Sequence, residues 1–475
     1  MKGNATKGSL MRTTVSLCGA LLLAMPGLAV ATDYPLAFKT LDAQQAVSFN
    51  FGSTTYAMIQ AGKPAGIVKA PPAVSQHPLY GTIAAGPDQM LFRLDESKGT
   101  GQGYDRLIVD VNRNGDLTDD PVIRPVPPAR GLPVISTLQQ SIFGPIGAPD
   151  SLKIGADRPA FYAQVYLFMP PGAVAATGPN STAGEIIVRP GWYLEAMVDA
   201  GGKKHKVDLV DADCNFKIGD AARATSYQSG LNASQANWLF EGGDRFLVDW
   251  NGSASIQSTL FDDQSSSFGP ILYLDGKPYK ATLAADCKTL SLDAWTEPMA
   301  ELAVAHAEQI SSLHVAWEKA PGDWVLLKPS VENGTAKVPP GNYRLYSVNL
   351  KAKTASGDSL VMSGTKRVPG ASIKAVAGQA TLFNCGAPLE VSVTAQPVRG
   401  VTSTSSGVLG SLATALLGQS GPAVSIQATI LGAGGETYSV PYLMSSNGGL
   451  RQPPGPTFAV LSEGKQVDSG SMEYG

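Results

Sequence analysis

The chain has 475 residues, of which 43% are hydrophobic and only 16% charged, and its 39 acidic residues outnumber its 36 basic ones. A slightly acidic balance without basic clusters argues against nucleic acid and anionic membrane surfaces as partners. The 52 glycines and 34 prolines fit a β-rich exported protein, because tight turns need residues that tolerate unusual backbone angles.

The first residues set the expected compartment. Lys2, Lys7 and Arg12 form a basic start, an apolar core runs from Val15 to Met25, and Ala29-Val30-Ala31 supplies a small-residue exit. This order predicts a cleaved secretory signal over residues 1–31. The apolar run is too short and too interrupted by Gly and Pro to span a membrane. Leu17 precedes Cys18, where a lipid-anchored cysteine would need a small residue. Cleavage removes three of the 36 basic residues and no acidic ones, leaving 33 against 39, a net charge of −6. The mature chain is expected to be soluble, without a membrane span, and periplasmic or extracellular. At about 440 residues it predicts about two to four domains.

Period-two patterning dominates the mature chain and predicts an all-β, multidomain protein of β-sandwich or meander units with few helices. An N-terminal β-domain over 32–124 contains the alternating Val47–Phe51 and ends in an Asp/Asn-rich loop. Pro121 to Pro133, with Pro125, Pro127 and Pro128, reads as a stiff connector. A second β-domain over 134–298 carries Phe161–Phe168 and a polar surface excursion from Pro170 to Gly184. It closes with Ile271–Leu274 and Tyr279–Leu283 around Asp275-Gly276, a pair that accepts the positive backbone angles of a hairpin turn. Thr296–Lys319 is open: its Ala-rich start suits a helix, and Ser311–Trp317 suits a strand. The C-terminal sandwich-like domain is expected over 300–475. It includes a corner at Val338–Tyr343, the cleanly alternating Leu389–Ala395, and a loop with a short apolar helix over Ser405–Gln419. Its closing stretches, Gly434–Tyr438, Phe458–Leu461 and Gly464–Val467, read as turn and strand. This region resembles the β-domains of uncharacterised exported bacterial proteins, a resemblance that implies no activity.

The most specific chemistry lies at Asp105–Asp120. The apolar run Leu107-Ile108-Val109 empties into a loop with oxygens at alternate positions: Asp110, Asn112 and Asn114, then Gly115 for a sharp turn. Asp116 can supply its carbonyl, and Thr118, Asp119 and Asp120 can close the shell. Ca²⁺ takes six to eight such oxygens. Over about a dozen residues the stretch resembles the calcium loops of EF-hand and dockerin modules, which implies bound Ca²⁺. It departs from them in two ways. Their terminal acid aligns with Pro121, so Asp119 or Asp120 must substitute, and the entering segment is strand-like rather than helical. A partial copy is Asp211, Asp213 and Asn215 with Asp220 nearby, where Phe216 stands in place of the glycine. A third copy, Asp249 and Asn251, keeps fewer acids. Asp105–Asn112 and Asp244–Asn251 share the pattern Asp-Arg-x-x-Val-Asp-x-Asn, suggesting duplicated β-units. The competing reading is that these side chains only satisfy their own backbone in turns.

Other chemistries lack their parts. There is no Gly-x-Ser-x-Gly elbow, His-Glu-x-x-His, phosphate-binding Gly-rich loop or Cys-x-x-Cys. The histidines, His77, His205, His306 and His314, show no zinc-type spacing. Cys214 and Cys287 each follow an Asp where a turn would ordinarily take Gly; a disulfide between them and two separate buried thiols are both open. The sequence thus points to a calcium-stabilised, non-enzymatic exported protein that binds a surface, a glycan or an envelope protein. The alternative is a secreted polysaccharide hydrolase using a carboxylate pair that the sequence does not identify.

Overall fold

Among the described residues the alternating patterns fold as strands. A computed structural model describes residues 31–41, 55–85, 88–100, 103–126, 139–147, 163–169, 182–228, 236–241, 243–249, 265–366, 370–398, 423–439, 441–445 and 450–472. Among them the only non-strand regular element is a 3₁₀ turn at Ala307–Gln309. The protein is all-β and is built from several separate sheets. The expected signal segment (Ala31 apart), Val47–Phe51, Ser405–Gln419 and Asn251 lie outside the described residues.

An eight-stranded antiparallel sheet runs in the order Arg106–Val109, Asp88–Asp95, Leu79–Ala85, Thr55–Gln60, Thr182–Pro190, Ala163–Met169, Gln139–Ile146, Pro125–Val126. Leu107 and Ile123 exchange backbone hydrogen bonds of 3.0 and 2.8 Å. That bridge ties the first strand to the segment entering the last, so the sheet closes on itself and leaves few unpaired edges. Alternate residues, among them Ile59, Leu79, Phe92, Leu107, Val109, Phe143, Val165 and Ile186, fill one shared core. Strands from both sides of the 121–133 connector therefore belong to one sheet.

A five-stranded sheet (Ser265–Ser267, Arg245–Asp249, Lys203–Val210, Trp192–Ala200, Ala37–Thr40) packs on a four-stranded one (Thr32–Pro35, Thr289–Ala294, Lys277–Leu283, Ile271–Leu274). Trp192, Val207, Phe246, Leu274 and Leu290 share the core between them. The Asp275-Gly276 hairpin forms as its sequence predicts, with φ of 47° and 73°. The C-terminal region holds a third core between a four-stranded and a ten-stranded sheet. Thr296–Lys319 resolves as strands Ala300–Ala303 and Ile310–Ala320 joined by the short 3₁₀ turn. Leu389, Val391 and Val393 alternate as read but stay 40%, 61% and 61% exposed. Val391 and Val393 lie on the strand Glu390–Val398, which Leu389 immediately precedes, at the edge of the ten-stranded sheet.

Cys214, Cys287 and Cys385 are buried as thiols, so the disulfide considered between the first two does not form. Cys214 and Cys287 both take the left-handed conformation (φ 58° and 55°) that their turn positions demand. Burial pushes the Cys385 thiol up to about 12, with the Glu436 carboxylate adding to it.

His314, in the strand Ile310–Ala320, is held down to about 3 by burial, with Lys328 and Arg245 adding positive charge nearby. A folded-state value below the unfolded one near 6.5 means that stability is fully present above pH 6.5. It is lost as pH falls toward 3, at up to about 1.4 kcal/mol per pH unit. We expect His314→Gln to flatten the pH dependence of chemical-denaturant midpoints between pH 6.5 and 4; an unchanged slope would show that the histidine does not contribute.

Candidate metal centre

Two loops far apart in sequence adopt the same local structure. The strand Arg106–Val109 delivers Asp110, 2% exposed, at the seam of the closed sheet. Its Oδ1 accepts the Asn114 amide (3.0 Å) and its Oδ2 the Gly115 amide (2.9 Å). Asn112 Oδ1 also accepts from the Asn114 amide (3.0 Å), and Asn114 Oδ1 from the Asp116 amide (2.7 Å). The strand Lys203–Val210 delivers Asp211, 1% exposed, in the same way. Asp211 Oδ1 and Asp213 Oδ1 accept the Asn215 amide (3.2 and 3.1 Å), Asp211 Oδ2 accepts the Phe216 amide (2.8 Å), and Asn215 Oδ1 accepts the Lys217 amide (2.7 Å).

Backbone angles repeat as well. The fourth loop positions, Arg113 and Cys214, have φ of 62° and 58°; the sixth, Gly115 and Phe216, have 76° and 64°. The tenth positions also correspond, since Asn114 Nδ2 donates to Asp119 Oδ2 (2.8 Å) and Asn215 Nδ2 to Asp220 Oδ2 (2.7 Å). Gly115 is required twice over. Beyond its positive φ, a Cβ there would lie 2.5 Å from the Gly66 carbonyl oxygen. Its own carbonyl accepts the amides of Val68 (2.9 Å) and Lys69 (3.2 Å), and Lys69 pairs with Asp116 at 3.1 Å. Phe216 takes the same strained conformation because its ring, 2% exposed, packs in the core of the closed sheet.

The loops differ at the eleventh position. The first has Asp120, whose Oδ1 accepts the Val111 amide at 3.4 Å and whose Oδ2 is buried without a donor among the described residues. Burial and the charges of Asp110, Asp119 and Asp116 push this carboxyl up to about 6. The second loop has Ala221 there. A carboxylate from outside the loop reaches it instead: Asp244, 1% exposed, immediately before the strand Arg245–Asp249. Its amide donates to the Asp220 carbonyl (2.7 Å), closing the neck of the hairpin Arg223–Gln228/Ala236–Glu241. Its Oδ2 accepts the Gly219 and Asp220 amides (2.5 and 2.9 Å), and the Gly243 amide donates to Asp213 Oδ2 (2.9 Å).

Carboxylate oxygens of Asp211, Asp213 and Asp244 thereby lie within 4.8 Å of one another, a cluster able to hold a metal ion. Burial, and then the charge of neighbouring aspartates, raises Asp211 and Asp244 well above the usual carboxylate range. The side chain of Asp249 lies outside the described residues. Its backbone ends the strand opposite Lys206, five residues and about 16 Å of extended chain from Asp244.

Sequence spacing does not reveal Asp244. The Asp-Arg repeat pairs it with Asp105, whose carboxylate instead accepts the Ser97 amide and binds Arg124. No protein-family model, curated protein sequence or solved structure matches the chain.

Proposed function

We propose that the chain is an exported, non-enzymatic β-protein of the cell envelope or extracellular space. Its Asp/Asn loops take Ca²⁺ for rigidity, and its sheet faces bind a surface, a glycan or a protein partner. One observation carries the calcium reading: loops at 110–120 and 211–220 present matching side-chain oxygens on a matching hydrogen-bond frame. Such an all-oxygen donor set suits a hard cation, as the resemblance to EF-hand and dockerin loops implies. Export is supported by the basic–apolar–small order of residues 1–31. A partner is supported by the exposed apolar stripe Leu389, Val391 and Val393 on an edge strand. The buried acids Asp211 and Asp244 are each 1% exposed, which closes them to a sugar chain and disfavours their use as a hydrolytic pair.

Thermal unfolding with excess Ca²⁺ against EGTA tests the reading. A site filled at 100 times its dissociation constant stabilises by about 2.7 kcal/mol. The midpoint is expected to rise with Ca²⁺, and the rise to shrink in Asp110→Asn. No shift in the wild type would reduce both loops to self-satisfied turns.

A further inference from the structure

The second loop is an acidic cluster whose internal hydrogen bonds do not by themselves call for an ion. Asp244 makes the difference. It is 1% exposed and reaches the loop from a different strand, and its Oδ1 is buried without a donor among the described residues. Its Oδ2 is already held by two backbone amides, so the carboxylate is fixed in place while Oδ1 keeps its lone pairs. Carboxylate oxygens of Asp211 and Asp244, both buried, and of the half-buried Asp213 face one another across no more than 4.8 Å. Burying such like-charged groups without a cation is costly. The spacing fits one shared ion: two oxygens each 2.3–2.6 Å from a Ca²⁺ are at most about 5 Å apart, and the three carboxylates approach within 4.8 Å.

We propose that Asp211, Asp213 and Asp244 together hold a hard divalent cation, with Asp244 as the ligand that takes the place of the missing eleventh-position acid. The proposal rests on reading these loops as cation sites, and gives the second of them a ligand from outside the loop. The ion lies at the neck of the Arg223–Glu241 hairpin. There it fastens the loop to the strand Arg245–Asp249, whose preceding residue, Asp244, already accepts the Gly219 and Asp220 amides. Ca²⁺ fits better than Mg²⁺, because carboxylates pinned by backbone amides cannot contract to the short octahedral shell that Mg²⁺ demands.

Calorimetric titration of the full chain with Ca²⁺, and separately with Mg²⁺, tests this in wild type, Asp110→Asn and Asp244→Asn. Asparagine at 244 still accepts the Gly219 and Asp220 amides, so the variant keeps its fold. Asp213→Asn, which keeps an acceptor for only one of the Asn215 and Gly243 amides, serves as a second probe. We expect two Ca²⁺ sites in the wild type. Asp110→Asn should retain the second-loop site, while Asp244→Asn and Asp213→Asn should weaken that site by at least about 100-fold. Unchanged stoichiometry and affinity in Asp244→Asn would overturn the proposal while leaving the first-loop reading intact. Loss of a site in Asp244→Asn but none in Asp110→Asn would support the proposal and count against the first loop. No Ca²⁺ binding in the wild type would overturn both.

Discussion

Phe216→Ala is expected to destabilise the protein by about 3–5 kcal/mol, the usual cost of removing a buried aromatic ring from a packed core. The ring is 2% exposed and shares a core with Ile59, Leu79, Phe92 and Val165 of the closed sheet, so its loss leaves a cavity at a point where the second loop plugs that sheet. The backbone adds a discriminating detail. At φ of 64°, any residue with a Cβ bears a left-handed strain of about 1 kcal/mol that glycine escapes. Phe216→Gly should therefore be milder than Phe216→Ala by about 1 kcal/mol, the reverse of their usual order. Denaturant midpoints of the two variants decide it. Equal or inverted values would mean that the loop relaxes out of this conformation.

Gly115→Ala should cost about 2–4 kcal/mol although it adds one methyl group. The left-handed φ of 76° penalises a Cβ, and the methyl would lie 2.5 Å from a backbone carbonyl of Gly66, which cannot swing aside as a flexible side chain would. Relief by backbone movement would break the hydrogen bonds from Val68 and Lys69 to the Gly115 carbonyl. The first loop should then lose its Ca²⁺ response along with its stability. A thermal midpoint within about 1 °C of wild type and an intact Ca²⁺ response would contradict the geometry.

Much of the architecture is legible in the residues. Period-two alternation, Asp275-Gly276 and the Pro-Gly corner before Tyr343 each encode strand and turn locally, and the strands form where these signals stand. The connector at 121–133 looks like a boundary because prolines stiffen it. Long-range pairings place strands from both sides in one sheet: Thr55–Gln60 with Thr182–Pro190, and Pro125–Val126, inside the connector itself, with Gln139–Ile146. Leu389–Ala395 alternates like a half-buried strand, and nothing local states that it lies at a sheet edge.

The first loop is visible because all its oxygens fall within the short run from Asp110 to Asp120. The second is half visible, since Phe216 hides the turn that glycine would announce. Asp244 is hidden because a whole hairpin separates it from Asp220, while the Asp-Arg repeat aligns it with Asp105, whose partners are Ser97 and Arg124. Local periodicity survives in sequence, and convergence of distant side chains does not.

The central claim, that two loops built on one frame each hold a hard cation, is tested most directly by native mass spectrometry of the mature chain after exchange into a Ca²⁺-containing volatile buffer. Two retained Ca²⁺ ions per chain are predicted, falling to one in Asp110→Asn and to one in Asp244→Asn. A wild-type mass equal to that of the metal-free chain would contradict the account.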